Sequence, residues 1–214
     1  MSELAPIGEQ RIDRWLEELG SGAATPGGGA FAALSAAAGA ALVSMVGRLT
    51  IGKPKFAEAE ARMQEIVAEA DRERVDLLGF ADRDAQAFDA VMFAYRMPRE
   101  TEAEQTQRLH ALQTALERAA EVPLMVARRA VYVMGLAEEA TMIGNPNAAS
   151  DGMCAAAGLH AAAVAALANV QINAFAFVDG SKREALLDDC RRLRDRAGQV
   201  LADVHEVFEE RVGS

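Results

Sequence analysis

Two long stretches of this chain contain no charged residue, and they constrain its fold more than any other feature. They cover residues 27–47 and 152–178, and both are rich in alanine. Alanine favours helices and lets their backbones approach closely. Each stretch also exceeds the roughly 20 apolar residues that cross a bilayer. Polar residues in the second stretch, His160, Asn169 and Asn173, favour a central helix of a water-soluble bundle instead.

Helical periodicity recurs along the chain, and no segment alternates as a strand would. A helix is predicted over about 30–49, and because it is apolar all round we expect it to be buried on every side. Further helices are predicted over about 55–95 and 150–177. The sequence therefore predicts a single all-α domain over residues 1–214, a bundle of about six to eight helices around two central Ala-rich ones.

Capping and breaking residues mark the other helix boundaries. Thr101 with Glu104 and Ser181 with Glu184 have the spacing of capping boxes, each opening a helix. Pro123 either kinks the helix that follows Thr101 or starts another one, which continues to about residue 143.

Charge and cysteine content exclude several classes of function. The formal net charge is −10 and the pI is about 4.9, which disfavours nucleic acid and anionic membranes as partners. The two cysteines, Cys154 and Cys190, form neither a disulfide framework nor a zinc motif, and suit a reducing compartment. Residues 1–10 lack the features of a signal peptide. We expect a cytoplasmic protein.

A run of three glycines, Gly27, Gly28 and Gly29, stands before the first uncharged helix. Exposed backbone N–H groups at a helix start favour a carboxylate, a phosphate or an electron-rich ring. The run matches neither a Walker A loop nor a dinucleotide fingerprint. The alternative is a flexible turn that enters a tightly packed helix.

Carboxylates and amides provide the candidate reactive groups. Asp84 shares a helix face with Phe88 and Tyr95, so it can be partly buried and have a shifted pKa, whereas most helix aspartates are simply solvated. Glu121 precedes Pro123, where the helix is disturbed; a plain surface glutamate is the alternative.

The loop at residues 145–151 concentrates further polar groups: Asn145, Asn147, Ser150 and Asp151. Helix capping by Ser150 and Asp151 is the alternative to a binding role. Asn169 and Asn173 share one face of the second uncharged helix, for ligand contact or for hydrogen bonds between helices.

Cationic and histidine side chains give weaker signals. Lys53 and Lys55 form a local cationic spot suited to an anionic tail, or a solvated loop. The three histidines have no metal-ligand spacing, so no metal is predicted.

Taken in order, six segments resemble the cyclodeaminase/cyclohydrolase family of folate enzymes. They are residues 25–30 (TPGGGA), 49–56 (LTIGKPKF), 84–98, 121–124 (EVPL), 144–151 (GNPNAASD) and 169–173 (NVQIN). The chain departs from the usual family pattern at Pro54, Phe56, Arg99, Gln171 and Phe175, which affects tail contacts and substrate choice.

The resemblance implies an all-α homodimer that binds tetrahydrofolate derivatives without a metal or separate cofactor. It implies a methenyltetrahydrofolate cyclohydrolase or a formimidoyltetrahydrofolate cyclodeaminase; with no formiminotransferase domain in this sequence, we favour the cyclohydrolase. A non-catalytic helical binding protein is the third hypothesis.

The resemblance also suggests roles for the candidate residues. Asp151 or Asp84 would transfer the proton, with Glu121 third. The glycines of 27–29, Asn145, Asn147 and Ser150 would hold the ligand, Lys53 would meet the folate glutamate, and Asn169 and Asn173 would contribute less directly. The hypothesis requires Gly28 and Asp151 to share one crevice, within a chain or across a subunit contact.

Overall fold

The computed structural model describes residues 6–213, and within that range it consists of helices and connecting turns. The helices are α1 (Ile12–Leu19), α2 (Gly28–Arg48), α3 (Glu60–Tyr95), α4 (Glu102–Ile143), α5 (Ala149–Ala174) and α6 (Gly180–Gly213). Single 3-10 segments cover Ile7–Glu9, Pro54–Ala59 and Pro146–Ala148. The predicted all-α fold with two Ala-rich central helices is confirmed.

Several boundaries differ from the prediction. Helix α2 begins at Gly28, so two of the three glycines lie in its first turn. A 3-10 segment precedes α3, which therefore starts at Glu60. Pro123 lies within one continuous helix, α4, and does not begin a new one.

The two predicted capping boxes have different outcomes. At the start of α4, the Thr101 hydroxyl accepts from the Glu104 N–H, and the Glu104 carboxylate accepts from the Thr101 N–H. At the start of α6 the predicted Ser181 box is wrong, because the carboxylate of Asp179 accepts from the N–H groups of Ser181 and Lys182. A carboxylate just before the helix accepts hydrogen bonds from the same N–H groups, which have no partner within the helix.

Helices α2 and α5 lie side by side in opposite directions. A Cβ placed on Gly28, at the start of α2, would lie 3.2 Å from Asn169 Nδ2, near the end of α5. One placed on Gly39 would lie 2.5 Å from Leu159 Cγ. At the other end, the side chain of Asn145 donates to the Leu49 carbonyl, 3.1 Å away. The pair is therefore antiparallel along its whole length.

The core is built around this helix pair. Helix α2 packs on α3, α4 and α5, and α5 packs on α2, α4 and α6. The larger fully buried side chains come from α3, α4 and α5, among them Met63, Ile66, Leu77, Met134 and Leu159. Alanines fill the space between the helix axes, where a larger side chain would separate them.

The predicted burial of α2 on every side is wrong. Phe31 is 44% exposed and Met45 is 37% exposed, and Ala38 between them is also open to solvent. These residues recur every seven positions and so share one face. Helix α5 has a similar uncharged face with Cys154, Ala161, Val164, Ala168 and Ile172. The core provides neighbours for only part of each helix.

By length and composition alone, α2 and the segment Pro146–Ala174 could each cross a membrane. In the structure, 61% of the most apolar window of the first helix is buried, and 44% of that of the second. Both helices thus use much of their apolar surface within the fold.

Replacing Gly39 with alanine should destabilise the protein by about 1–3 kcal/mol, the usual cost of overpacking a core. The new methyl group would lie 2.5 Å from Leu159 Cγ and 3.3 Å from the carbonyl oxygen of Ala155, so α2 and α5 would have to separate. Urea unfolding measures the loss. Gly158→Ala, on the same helix pair but with open space around its Cβ position, is the control and should not destabilise. Equal stability of both variants and the wild type would contradict the close approach of α2 and α5 at Gly39.

Candidate functional site

The glycine run packs against a carboxylate from α3. A Cβ on Gly29 would lie 2.0 Å from Asp84 Oδ1, so no larger residue fits there while the carboxylate keeps its position. The backbone N–H of Ala30 donates to the same carboxylate. The start of α2 thus holds Asp84 where the helix dipole is positive, as expected for an anion.

Asp84 is partly buried, as the sequence predicts. Burial raises the pKa of its carboxyl above the usual value, and the hydrogen bond from Ala30 opposes that rise. A carboxyl group with a raised pKa is better suited to exchange protons near neutral pH than a solvated aspartate.

Asn169 lies beside the first glycine of α2. Its Nδ2 donates to the Ala165 carbonyl of its own helix at 2.9 Å. Within residues 6–213, no donor reaches its Oδ1, which therefore remains available as an acceptor next to Gly28.

Asn173 has a different arrangement, which Pro123 explains. Pro123 has no N–H, so the carbonyl of Ala119, four residues earlier, lacks its helical donor. Asn173 Nδ2 donates to that carbonyl at 3.0 Å, and also to the Asn169 carbonyl at 3.0 Å. The amide thereby links α5 to the turn of α4 that carries Glu121.

Glu121 is exposed and lines a cleft between α3 and α4. The cleft measures about 590 Å³. A smaller cavity of about 210 Å³ lies beside Thr25 and Pro26, over Trp15. The two share Gln86, two residues beyond Asp84 on α3. We call residues 27–29, Asp84, Asn169 and Asn173 the glycine end.

The other predicted site residues collect at the opposite end of the helix pair. Asn145 is buried there, with its N–H donating to Thr50 Oγ1 at 3.0 Å and its side chain donating to the Leu49 carbonyl. Its Oδ1 accepts from the N–H of Asn147. The Asn145 amide therefore already joins the loop before α5 to the end of α2.

Asn147, Ser150 and Lys53 are exposed near this junction, and Asp151 is partly exposed in the first turn of α5. No side chain caps α5, since Ala148 is its N-cap residue, so the alternative role of Ser150 and Asp151 as caps is wrong. We call Lys53, Asn145, Asn147, Ser150 and Asp151 the asparagine end.

The structure contradicts the expected crevice within one chain. Gly28 contacts Asn169, and Asp151 lies 18 residues earlier on the same straight element, about 27 Å away at 1.5 Å per residue. The antiparallel packing of α2 and α5 is the reason, since it pairs the start of one with the end of the other. Gly28 and Asp151 can meet only across a subunit contact.

Sequence reasoning missed the arginines of the cleft between α3 and α4. The cleft is lined by Arg83 and Gln86 from α3 and by Arg118 and Arg129 from α4. Helical spacing places the members of each pair near one face of their helix, at i, i+3 or i, i+11. What the sequence lacks is any indication that these two faces oppose each other.

Comparison with known proteins finds relatives over most of the chain. The family model for formiminotransferase-cyclodeaminase matches residues 11–192. A methenyltetrahydrofolate cyclohydrolase of Methylorubrum extorquens is 39% identical over 205 residues, which are 96% of this chain and 99% of that protein. The formimidoyltransferase-cyclodeaminase of Sus scrofa is 36% identical over 159 residues, 74% of this chain but 29% of that longer protein.

The fold has a solved counterpart as well. A formiminotetrahydrofolate cyclodeaminase from Thermotoga maritima superposes with a TM-score of 0.86 at 29% identity, over 96% of this chain and 99% of that one. The chain belongs to the formiminotransferase-cyclodeaminase family.

Proposed function

We propose that the protein is a methenyltetrahydrofolate cyclohydrolase, which interconverts 5,10-methenyl- and 10-formyltetrahydrofolate. The observation that supports this proposal most strongly is the 39% identity to a relative of that name over nearly the full length of both chains. The glycine end supports it, because Asp84 is a carboxyl with a raised pKa held beside backbone amides. No metal or separate cofactor is part of the proposal, and we place the activity in the cytoplasm.

The proposed chemistry uses Asp84 as a general base. The methenyl bridge is a cation, and a nearby carboxylate stabilises it. Water adds to the bridge carbon while Asp84 takes a proton from that water. The bond from this carbon to N5 then breaks, N5 keeps the electron pair and is protonated, and the formyl group remains on N10. One proton is released overall.

The second candidate is a formimidoyltetrahydrofolate cyclodeaminase, the activity named for the structural counterpart and for several relatives. There the same carboxyl, protonated, would act as the general acid for the departing ammonia. A raised pKa suits this role as well as that of a general base. A helical binding protein without activity is the third candidate.

Purified protein should accelerate the loss of the methenyl chromophore well above the rate in buffer. Release of ammonia from 5-formiminotetrahydrofolate, measured in parallel, would select the cyclodeaminase. Binding of a reduced folate with neither reaction would leave the non-catalytic reading. Heat-denatured protein at the same concentration is the control for the uncatalysed reaction.

We also propose that the protein is a homodimer that buries the uncharged outer faces of α2 and α5. Helix α2 packs on α3 and α4, and α5 packs on α4 and α6. Since α4 supports both helices, we place their open faces on the side away from it. Two adjacent helices about 30 Å long and 10 Å wide offer roughly 600 Å² per chain. Two such faces reach roughly 1,200 Å², the lower limit of stable interfaces. Light scattering should then give twice the chain mass of 22.8 kDa.

A two-fold axis across these helices would bring the glycine end of one chain to the asparagine end of its partner. The crevice that one chain lacks would then form twice per dimer. Asp151 and Lys53 of the partner would face Gly28 and Asp84, and all predicted residues could serve one ligand. We propose this arrangement for the catalytic site.

A further inference from the structure

The side-chain amide of Asn169 has a defined orientation and one unused acceptor. Its Nδ2 donates to the Ala165 carbonyl at 2.9 Å. A carbonyl oxygen only accepts, so this bond fixes which end of the amide is nitrogen and which is oxygen. In the part of the chain that the structure describes, no donor reaches Oδ1. Asn169 thus presents a half-buried oxygen that can accept a hydrogen bond from a bound molecule.

Asn173 holds this part of α5 against α4. Its Nδ2 donates to the main-chain carbonyls of Asn169 and Ala119, at 3.0 Å each. The Ala119 carbonyl needs this donor, because Pro123 supplies no N–H to it. The position of Asn169 is therefore set by contacts from two helices.

Asn169 and Asp84 lie against consecutive residues in the first turn of α2. A Cβ on Gly28 would lie 3.6 Å from Asn169 Oδ1, and one on Gly29 would lie 2.0 Å from Asp84 Oδ1. The Cα atoms of neighbouring residues are about 3.8 Å apart. Two acceptor groups, one from α3 and one from α5, therefore approach a short stretch of backbone that has no side chains. A small molecule that bridges them must donate two hydrogen bonds.

We propose that Asn169 is a catalytic residue that holds the attacking water, accepting one of its hydrogens while Asp84 accepts the other. This inference rests on the proposed function, which requires a water beside Asp84. A water that donates to both acceptors directs its lone pairs away from them, toward the carbon of the methenyl bridge. Neither nitrogen of that bridge carries a hydrogen, so the Asn169 oxygen contacts the nucleophile and not the bridge.

The two hydrogens of the water have different fates. Its oxygen bonds to the bridge carbon as Asp84 takes the first proton, and the electrons of that O–H bond stay on oxygen. Asn169 keeps its hydrogen bond to the hydroxyl of the tetrahedral intermediate. When the bond to N5 breaks, N5 keeps the electron pair and receives the proton from Asp84. The hydroxyl loses its own proton to solvent as the formyl C=O forms.

Two substitutions of Asn169 separate the acceptor from the rest of the amide. Asn169→Leu removes the acceptor, and should lower kcat for methenyltetrahydrofolate about 10- to 100-fold with KM changed less than about twofold, because a misplaced nucleophile affects rate and not folate binding. Asn169→Asp keeps an acceptor but loses the amide donor. At its own pH optimum it should retain kcat within about fivefold of wild type, since a second carboxylate also raises the pKa of Asp84.

Stopped-flow measurement of the methenyl chromophore gives kcat and KM, and urea unfolding shows whether each variant is folded. If leucine is not accommodated beside Gly28, Asn169→Ala removes the same oxygen and should give the same loss of kcat. The control is Gln107→Leu, which removes an exposed amide from α4 and should keep both kinetic constants.

Several outcomes would overturn the inference. An unchanged kcat in Asn169→Leu and Asn169→Ala would do so, and a raised KM in these variants would assign the amide to folate binding instead. An equal loss of kcat in the Leu and Asp variants would assign the effect to the amide donor. Wild-type protein that does not turn over methenyltetrahydrofolate would refute the proposed function, and this inference with it.

Discussion

Replacing Asp84 with asparagine should lower kcat for methenyltetrahydrofolate hydrolysis by about 100- to 10,000-fold, the usual effect of losing a general acid or base. The amide has nearly the same shape and can still accept from the Ala30 N–H, so the start of α2 should keep its structure. Stopped-flow measurement of the methenyl chromophore gives the rate. Wild-type turnover by this variant would exclude Asp84 from proton transfer.

The pH dependence of the same variant separates catalysis from folding. Burial raises the pKa of Asp84, so the folded protein favours the neutral form, and the ionised form costs stability as pH rises through that pKa. Asp84→Asn removes this cost and should be at least as stable as wild type at pH 7. Wild-type activity should fall as pH drops through the Asp84 pKa, because the base is then protonated, and this acidic limb should be absent from the variant.

Two further variants test whether the position of the Asp84 carboxylate matters as much as its charge. Asp89→Asn removes an exposed carboxylate from the same helix and should leave kcat unchanged. Gly29→Ala keeps Asp84 but places a methyl group 2.0 Å from the present position of its Oδ1, so the carboxylate must move. We expect a loss of kcat in this variant too.

Mixing two inactive variants should restore about a quarter of wild-type activity if the site is shared between subunits. In Asp84→Asn every glycine end is defective, and in Asp151→Asn every asparagine end is. Random reassembly makes half of the dimers hybrid, and each hybrid has one site with both aspartates intact. Co-refolding of the two variants followed by the chromophore assay measures the recovery.

Three outcomes of the mixing experiment differ in meaning. No recovery, with hybrids present by mass spectrometry, would contradict a site that Asp84 and Asp151 share across the proposed two-fold contact. Full activity of the Asp151→Asn variant alone would exclude Asp151 from catalysis. A monomeric mass, or mass gained only with detergent or lipid, would show that the faces of α2 and α5 are covered by something other than a second copy.

Local patterns predicted most of the secondary structure and part of the glycine end. Uncharged alanine-rich runs, the capping box at Thr101 and the break before Asn145 depend on neighbouring residues in the chain, which sequence reading detects. Asp84 was identified as partly buried because Phe88 and Tyr95 share its face. The close contact of Asp84 with Gly29 was not identified, since it joins residues on two different helices.

The sequence by itself determined that the chain forms long helices and that two of them are central, and it predicts a chemistry of carboxylates and amides. These properties follow from residue type and helical period. Only the tertiary structure decided which groups meet. The antiparallel packing of α2 and α5 put Asp84 and Asn169 beside the glycines and moved Asp151 to the far end, and the pairing of α3 with α4 brought Arg83 and Arg118 to one cleft. Helix direction and the facing of helix surfaces are set by contacts distant along the chain, and no local pattern encodes them.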